Sequence, residues 1–186
     1  MSIRLHKTKI LEKGHPINLS CGYLLARVDY ESPTADQEIN LDLSAFLLDC
    51  DGKIPSADHF VFYNNHHSSD GSVEWFDDGR DPYQTHEMTL GLDLSAVGNE
   101  VFQIVIILTI HEAKIKHQNI SQLIRPYIRF CDGEKELYRF ETVGDESSRS
   151  LEFCRILRKD STWILVATGV GSSNELGDYV PAHLQS

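Results

Sequence analysis

The chain has 186 residues, of which 41% are hydrophobic and 24% charged, and its formal net charge is −11 at pH 7. That composition suits a single folded domain with a sizeable core and excludes an intrinsically disordered chain. It also argues against a nucleic-acid binder, because neutralising phosphates needs clustered Lys and Arg. The acidity is local. Residues 36 to 93 carry thirteen of the 28 acids but only Lys53 and Arg80 of the 17 bases, and the rest of the chain is balanced. A charge excess kept for solubility alone would be spread more evenly.

The first residues, Met1-Ser2-Ile3-Arg4-Leu5-His6-Lys7, lack the apolar core of a signal peptide. The longest apolar run, Val101 to Ile110, is too short to span a bilayer, which takes roughly 20 residues. The expectation is a soluble cytoplasmic protein with no membrane insertion. Lys13-Gly14-His15-Pro16 signals a turn, and Ile17 to Ser20 and Leu24 to Tyr30 suit two strands. From Ile39 the apolar Ile39, Leu41, Leu43 and Ala45 alternate with Asn40, Asp42 and Ser44. This period of two places the polar three on the strand face opposite the core.

Phe60 to Asn64 reads as an aromatic-rich strand, and Asp70-Gly71 as a tight turn leading into a strand over Ser72 to Phe76. Residues 77 to 86 form a loop, and Glu87 to Leu94 alternates again. The β-branched Val101 to Ile110 predicts a strand buried on both faces. A short helix is predicted within 112 to 123, before Pro126. Tyr127 to Cys131, Glu136 to Thr142, Leu151 to Leu157 and Thr162 to Thr168 supply four more strands. About ten strands with little helix predict an all-β, single-domain β-sandwich over 1–186, its core spanning about 10 to 171 and a tail over 172–186. Gly169-Val170-Gly171 lacks the third glycine of a dinucleotide fingerprint.

A hard cation such as calcium takes six to eight oxygens, several of them anionic. Asn40, Asp42, Asp77, Asp78, Asp81 and Glu87 offer that chemistry at strand ends and loops. His59, His66, His67 and His86 lie in the same segment and could serve zinc, although the spacing gives no i, i+4 pair and exposed loop histidines are the plainer reading. Cys21, Cys50, Cys131 and Cys154 are widely spaced without a CxxC pair, which reads as small buried thiols in a reducing compartment. No GxSxG elbow, HExxH helix or phosphate-cradling GxxxxGKS stretch is present, so no catalysis is expected. Trp163 reads as core, and Trp75 with Phe76 as an exposed aromatic contact patch.

Three stretches, Asn40-Leu41-Asp42-Leu43-Ser44-Ala45-Phe46, Phe60-Val61-Phe62-Tyr63-Asn64-Asn65 and Asp70-Gly71-Ser72-Val73 running on to Glu87, fall in a fixed order. Together they resemble the TerD family of bacterial tellurite-resistance and stress proteins, whose members read DLDASAF, FVFYNN and DGSV, then GDN and GDDE. The resemblance extends from Leu11-Glu12-Lys13-Gly14 to Trp163 and Gly169-Val170-Gly171. It implies a TerD-type sandwich whose acidic motifs bind calcium, with Asn40, Asp42, Asp77, Asp78 and Glu87 as the metal residues. It also implies partners among other tellurium-resistance and stress proteins, one of them membrane-bound. This chain departs from the family at Asn40, at Phe76-Asp77-Asp78 in place of GDN, at Gln84-Thr85-His86-Glu87 in place of GDDE, and at Trp75 in place of a His. Each lost carboxylate weakens calcium affinity. Two readings therefore stand: a calcium-binding stress protein whose cation orders the acidic loops, and an interaction scaffold of the same fold that has given up the ion.

Overall fold

The computed structural model describes residues 7–20, 22–31, 39–76 and 88–183. Twelve strands run in chain order as β1 (Lys9–Ile10), β2 (Pro16–Leu19), β3 (Tyr23–Glu31), β4 (Leu41–Leu48), β5 (Phe60–Val61), β6 (Val73–Phe76), β7 (Met88–Asp93), β8 (Gln103–Ile110), β9 (Ile124–Asp132), β10 (Lys135–Glu141), β11 (Ser150–Lys159) and β12 (Thr162–Ser172). Among the described residues there are also two short helices, α1 (Ala113–Lys116) and α2 (Leu176–His183), and two single 3-10 turns. The strands form two six-stranded sheets, ordered β1-β10-β9-β3-β7-β6 and β2-β12-β11-β8-β4-β5. The expected all-β sandwich is therefore the observed one. The strand the sequence did not predict is β1, a two-residue parallel pairing of Lys9 and Ile10 with Tyr138 and Arg139, too short to leave a period-two pattern.

The sheets enclose one main core, built from inward residues such as Leu24, Ala26 and Val28 of β3, Leu90 and Leu92 of β7, Ile104 and Ile106 of β8, and Phe153 and Ile156 of β11. Trp163 belongs to it as expected, 7% exposed, with its Nε1 donating to the Leu94 carbonyl at 2.9 Å. β8 is buried on both faces, as its β-branched run requires. Ile104, Ile106, Leu108 and Ile110 enter the main core, while Val105 and Ile107 enter a second cluster on the outer side of the sheet with Phe46, Leu48, Ile54 and Phe60.

That second cluster exists because α2 lies over it, packing Leu176, Tyr179 and Val180 against the aromatic and aliphatic side chains of β4, β5 and β8. The Tyr179 hydroxyl also meets Ser150 Oγ at 2.7 Å. Ser44 does share the outward side of β4 with Asp42, but it is fully buried. β12 continues to Ser172, and within the stretch expected as the tail, 172–186, the chain returns as α2 to cover this face.

Trp75 and Phe76, expected as one aromatic patch, point to opposite sides of β6, as successive residues of a strand must. Trp75 packs against the main core, with its ring centroid 4.9 Å from that of His66. The Phe76 ring lies over Gly91 of the neighbouring β7, where an added Cβ would come 2.8 Å from Phe76 Cε2 and 2.7 Å from the Tyr23 hydroxyl. Gly91 thus makes room for the aromatic ring across the strand pair.

Candidate functional site

Asn40 and Asp42 lie where β4 begins, at one end of the second sheet. The Asn40 carbonyl accepts from the His111 amide at 2.8 Å, and Asp42 faces Thr109 in the register of β4 and β8. The strand pairing therefore delivers His111, at the end of β8, to the carboxylate, with Nδ1 3.6 Å from Asp42 Oδ2. The Asp42 side chain is only 13% exposed. Burial pushes its carboxyl above the ordinary carboxylate value, and the charge of His111 pulls it back in part. His111 Nε2 stands 4.0 Å from Glu112 Oε1, and Glu112 Oε2 is 3.2 Å from Lys116 Nζ.

Beside this pair the FVFYNN stretch forms an aromatic bank. Phe46, Phe60 and Phe62 stack at centroid spacings of 4.4 and 4.3 Å, and Tyr63 meets Phe62 edge-on at 5.2 Å. Asn65 closes the turn that follows. Phe62 and Asn65 exchange backbone hydrogen bonds of 3.0 and 2.9 Å, and Asn65 Nδ2 donates to the Phe60 carbonyl at 2.7 Å. An amide side chain able to reach back to the backbone is what such a turn requires.

The DGSV stretch has a different role. Gly71 takes a positive φ of 69°, and Asp70 Oδ1 accepts from Ser68 Oγ at 2.7 Å and from the Ser72 amide at 2.9 Å. Its other oxygen accepts from the Gly98 amide at 2.8 Å, tying together two turns that are distant in the chain. Burial alone would raise the Asp70 carboxyl, but the bonds from Ser72, Gly98 and Ser68 outweigh it and bring the carboxyl down to about 2. A carboxyl depressed on folding adds stability that is full above its unfolded value of 3.8 and is lost as pH falls through the folded value near 2. Asp70→Asn is accordingly expected to cost about 1 kcal/mol at neutral pH, after allowing for solvent screening at a partly accessible group. It should also flatten the acid limb of stability between about pH 4 and 2, which urea unfolding at stepped pH would measure.

Among the described residues, His59, His66 and His67 do not converge on a metal site. His59 is buried, with Nδ1 2.9 Å from Ser56 Oγ and Nε2 3.4 Å from Glu100 Oε1. His66 Nε2 lies 2.7 Å from the Tyr63 carbonyl, and His67 Nδ1 lies 3.9 Å from Glu74. No group of three His, Cys, Asp or Glu side chains is placed to hold a metal among the described residues. Of the five metal residues predicted from the sequence, Asn40 and Asp42 are brought together with His111. Asp77, Asp78 and Glu87 lie outside the described residues, as do Asp81 and His86. Cys131 and Cys154 are buried and Cys50 is exposed, while Cys21 is outside the described residues. Burial pushes the Cys154 thiol up, away from reactivity. The sequence had assigned no role to Glu112 or Glu175; only the strand register and the return of α2 bring them near Asp42.

A family model described as TerD domain matches residues 7–183. The chain belongs to the TerD family. Its relatives include the tellurium resistance protein TerD of Serratia marcescens, 32% identical over 176 residues, covering 89% of this chain and 92% of that protein. General stress protein 16U of Bacillus subtilis is 30% identical over 138 residues, covering 72% of each. A crystal structure of a telluride resistance protein (TerD) homologue from Streptomyces coelicolor superposes with a TM-score of 0.65 at 15% identity, over 86% of this chain and 95% of that one. The fold is thus shared where little sequence is. This TerD family member is a homologue of tellurium-resistance and general stress proteins, and none of its described helices is long and apolar enough to cross a membrane.

Proposed function

We propose that this TerD protein is a non-enzymatic, calcium-binding stress and tellurium-resistance protein that acts through its acidic loops. The observation that carries the reading is Asp42. Its carboxylate is mostly withdrawn from water and held above the ordinary carboxylate value by that burial, with His111 compensating only in part. A hard cation at this end of β4 would reverse that penalty. The chemistry of the donor set suits one: Asn40 and Asp42 offer an amide and a carboxylate oxygen, and the acids Asp77, Asp78 and Glu87 would complete it. Bound calcium would supply positive charge between carboxylates that otherwise repel, ordering the loops for partners among other stress and tellurium-resistance proteins, including a membrane-bound one. Such a role is cytoplasmic and needs no turnover.

Calorimetric titration of chelator-stripped protein with calcium tests this. Saturable binding is expected, with stability rising by about 2.7 kcal/mol at a hundredfold excess over the Kd. That corresponds to a rise in Tm of roughly 5–10 °C for a domain of this size. Asp42→Asn should abolish most of both. No heat and a flat Tm up to millimolar calcium, in protein that is still folded, would turn the reading to a metal-free interaction scaffold, the course that Asn40 and Gln84-Thr85-His86 favour through their missing carboxylates.

A further inference from the structure

Between the turn after β5, the α1 turn and the start of α2 lies an open cavity of about 400 Å³. Its size falls within the roughly 300–1,000 Å³ common for small-molecule sites. One side is the aromatic bank, presenting Phe62 and Tyr63; the other carries three carboxylates, Asp42, Glu112 and Glu175. His111 also lies on the wall, and no Lys or Arg among the described residues lines it. Lys116 engages Glu112 through Oε2, and the Lys114 amide donates to Glu175 Oε1 at 2.7 Å. Glu112 Oε1 in turn faces His111 Nε2 at 4.0 Å, too long for a hydrogen bond. At the rim Ile115 is 76% and Tyr63 40% exposed, leaving apolar surface uncovered beside the acids.

An anion would meet three carboxylates here, and the partial positive charge at the start of α2 is already answered by Asp178, whose Oδ2 accepts from the Glu175 amide at 2.9 Å. A neutral apolar ligand would leave the acids desolvated without a partner. Aromatic faces next to carboxylates suit a cation carried on an apolar body, which gains ring attraction and charge-assisted hydrogen bonds together. We propose that this cavity binds a small organic cation, a primary ammonium or guanidinium on an aromatic or aliphatic body. The calcium reading and this one share Asp42 alone. Glu112, Glu175 and the aromatic bank belong only to the organic-cation site.

The test is titration of the full chain with phenethylamine, followed by amide chemical shifts, with phenylacetate as a probe of the same body and opposite charge. Saturable shifts centred on Tyr63, Ile115 and Gly177 are expected with phenethylamine, and none with phenylacetate. Glu112→Gln combined with Glu175→Gln keeps shape and hydrogen-bonding capacity and should weaken binding roughly tenfold. The same variant should leave the calcium response unchanged, so that failure of one site is separable from failure of the other. Equal responses to the two probes, no response to phenethylamine up to about 10 mM in folded protein, or undiminished binding in the double variant would overturn the proposal.

Discussion

Ending the chain after Asn174, so that α2 is absent, is expected to lower the unfolding free energy by about 3–6 kcal/mol, a large share of the roughly 5–15 kcal/mol that a domain possesses. Leu176, Tyr179 and Val180 contribute their partly buried surface, and Phe46, Phe60, Val105 and Ile107 beneath them become wet. Each such side chain is worth about 1.5–3 kcal/mol when fully buried. The hydroxyl contact between Tyr179 and Ser150 adds about 1 kcal/mol, so Tyr179→Phe should cost that much alone. Urea unfolding of the two variants, with binding of a hydrophobic dye to the exposed face, measures both quantities. An unchanged midpoint in the truncated protein would mean that the second cluster adds nothing to stability.

Trp163→Ala is expected to cost about 3–5 kcal/mol, the range for emptying a large aromatic site in a packed core. Two further losses accompany the cavity. The Leu94 carbonyl no longer receives the indole N–H, and a buried acceptor without a partner is expensive. The Arg158 guanidinium, 4.4 Å above the ring, loses the surface on which it rests. It also donates to the carbonyls of Val97, Gly98 and Val101, so the turn entering β8 should loosen in step. Trp163→Phe restores part of the volume but not the hydrogen bond, and should fall between the variant and the parent. Equilibrium denaturation gives the free energies, and hydrogen exchange at residues 97 to 102 reports the turn.

The parts of the fold that announce themselves in the sequence are those whose energetics are local or periodic. The alternation through Leu41, Leu43 and Ala45 and the unbroken Val101 to Ile110 each dictate which face is dry, and β4 and β8 follow. What the sequence conceals depends on segments that meet from far away. Ser44 looks like a solvent-facing residue because nothing in its own strand signals α2. Gly177 and Pro181 make Leu176–His183 a poor helix by propensity, so the helix owes its existence to docking Leu176, Tyr179 and Val180. Asp70 reads as half of a turn dipeptide, and its bond to Gly98 has no sequence mark. At the candidate site Asn40 and Asp42 were legible through strand period and family motif. The approach of His111 follows from pairing with β8, and that of Glu175 from the return of α2.

Both opening strands pair with partners from the far end of the chain: β1 sets Lys9 beside Tyr138, and β2 sets Leu19 against Trp163. Neither sheet can be finished from its N-terminal half. On the ribosome, the strands made first must wait for nearly all the others, and the β3-β7-β6 part of the first sheet is made before β9 and β10, which complete it. Long-range pairing of this kind slows folding and leaves apolar strand faces open to other chains meanwhile. The chain would therefore pass through its most aggregation-prone form during synthesis, and its yield should depend on temperature and chaperone supply more than its final stability suggests.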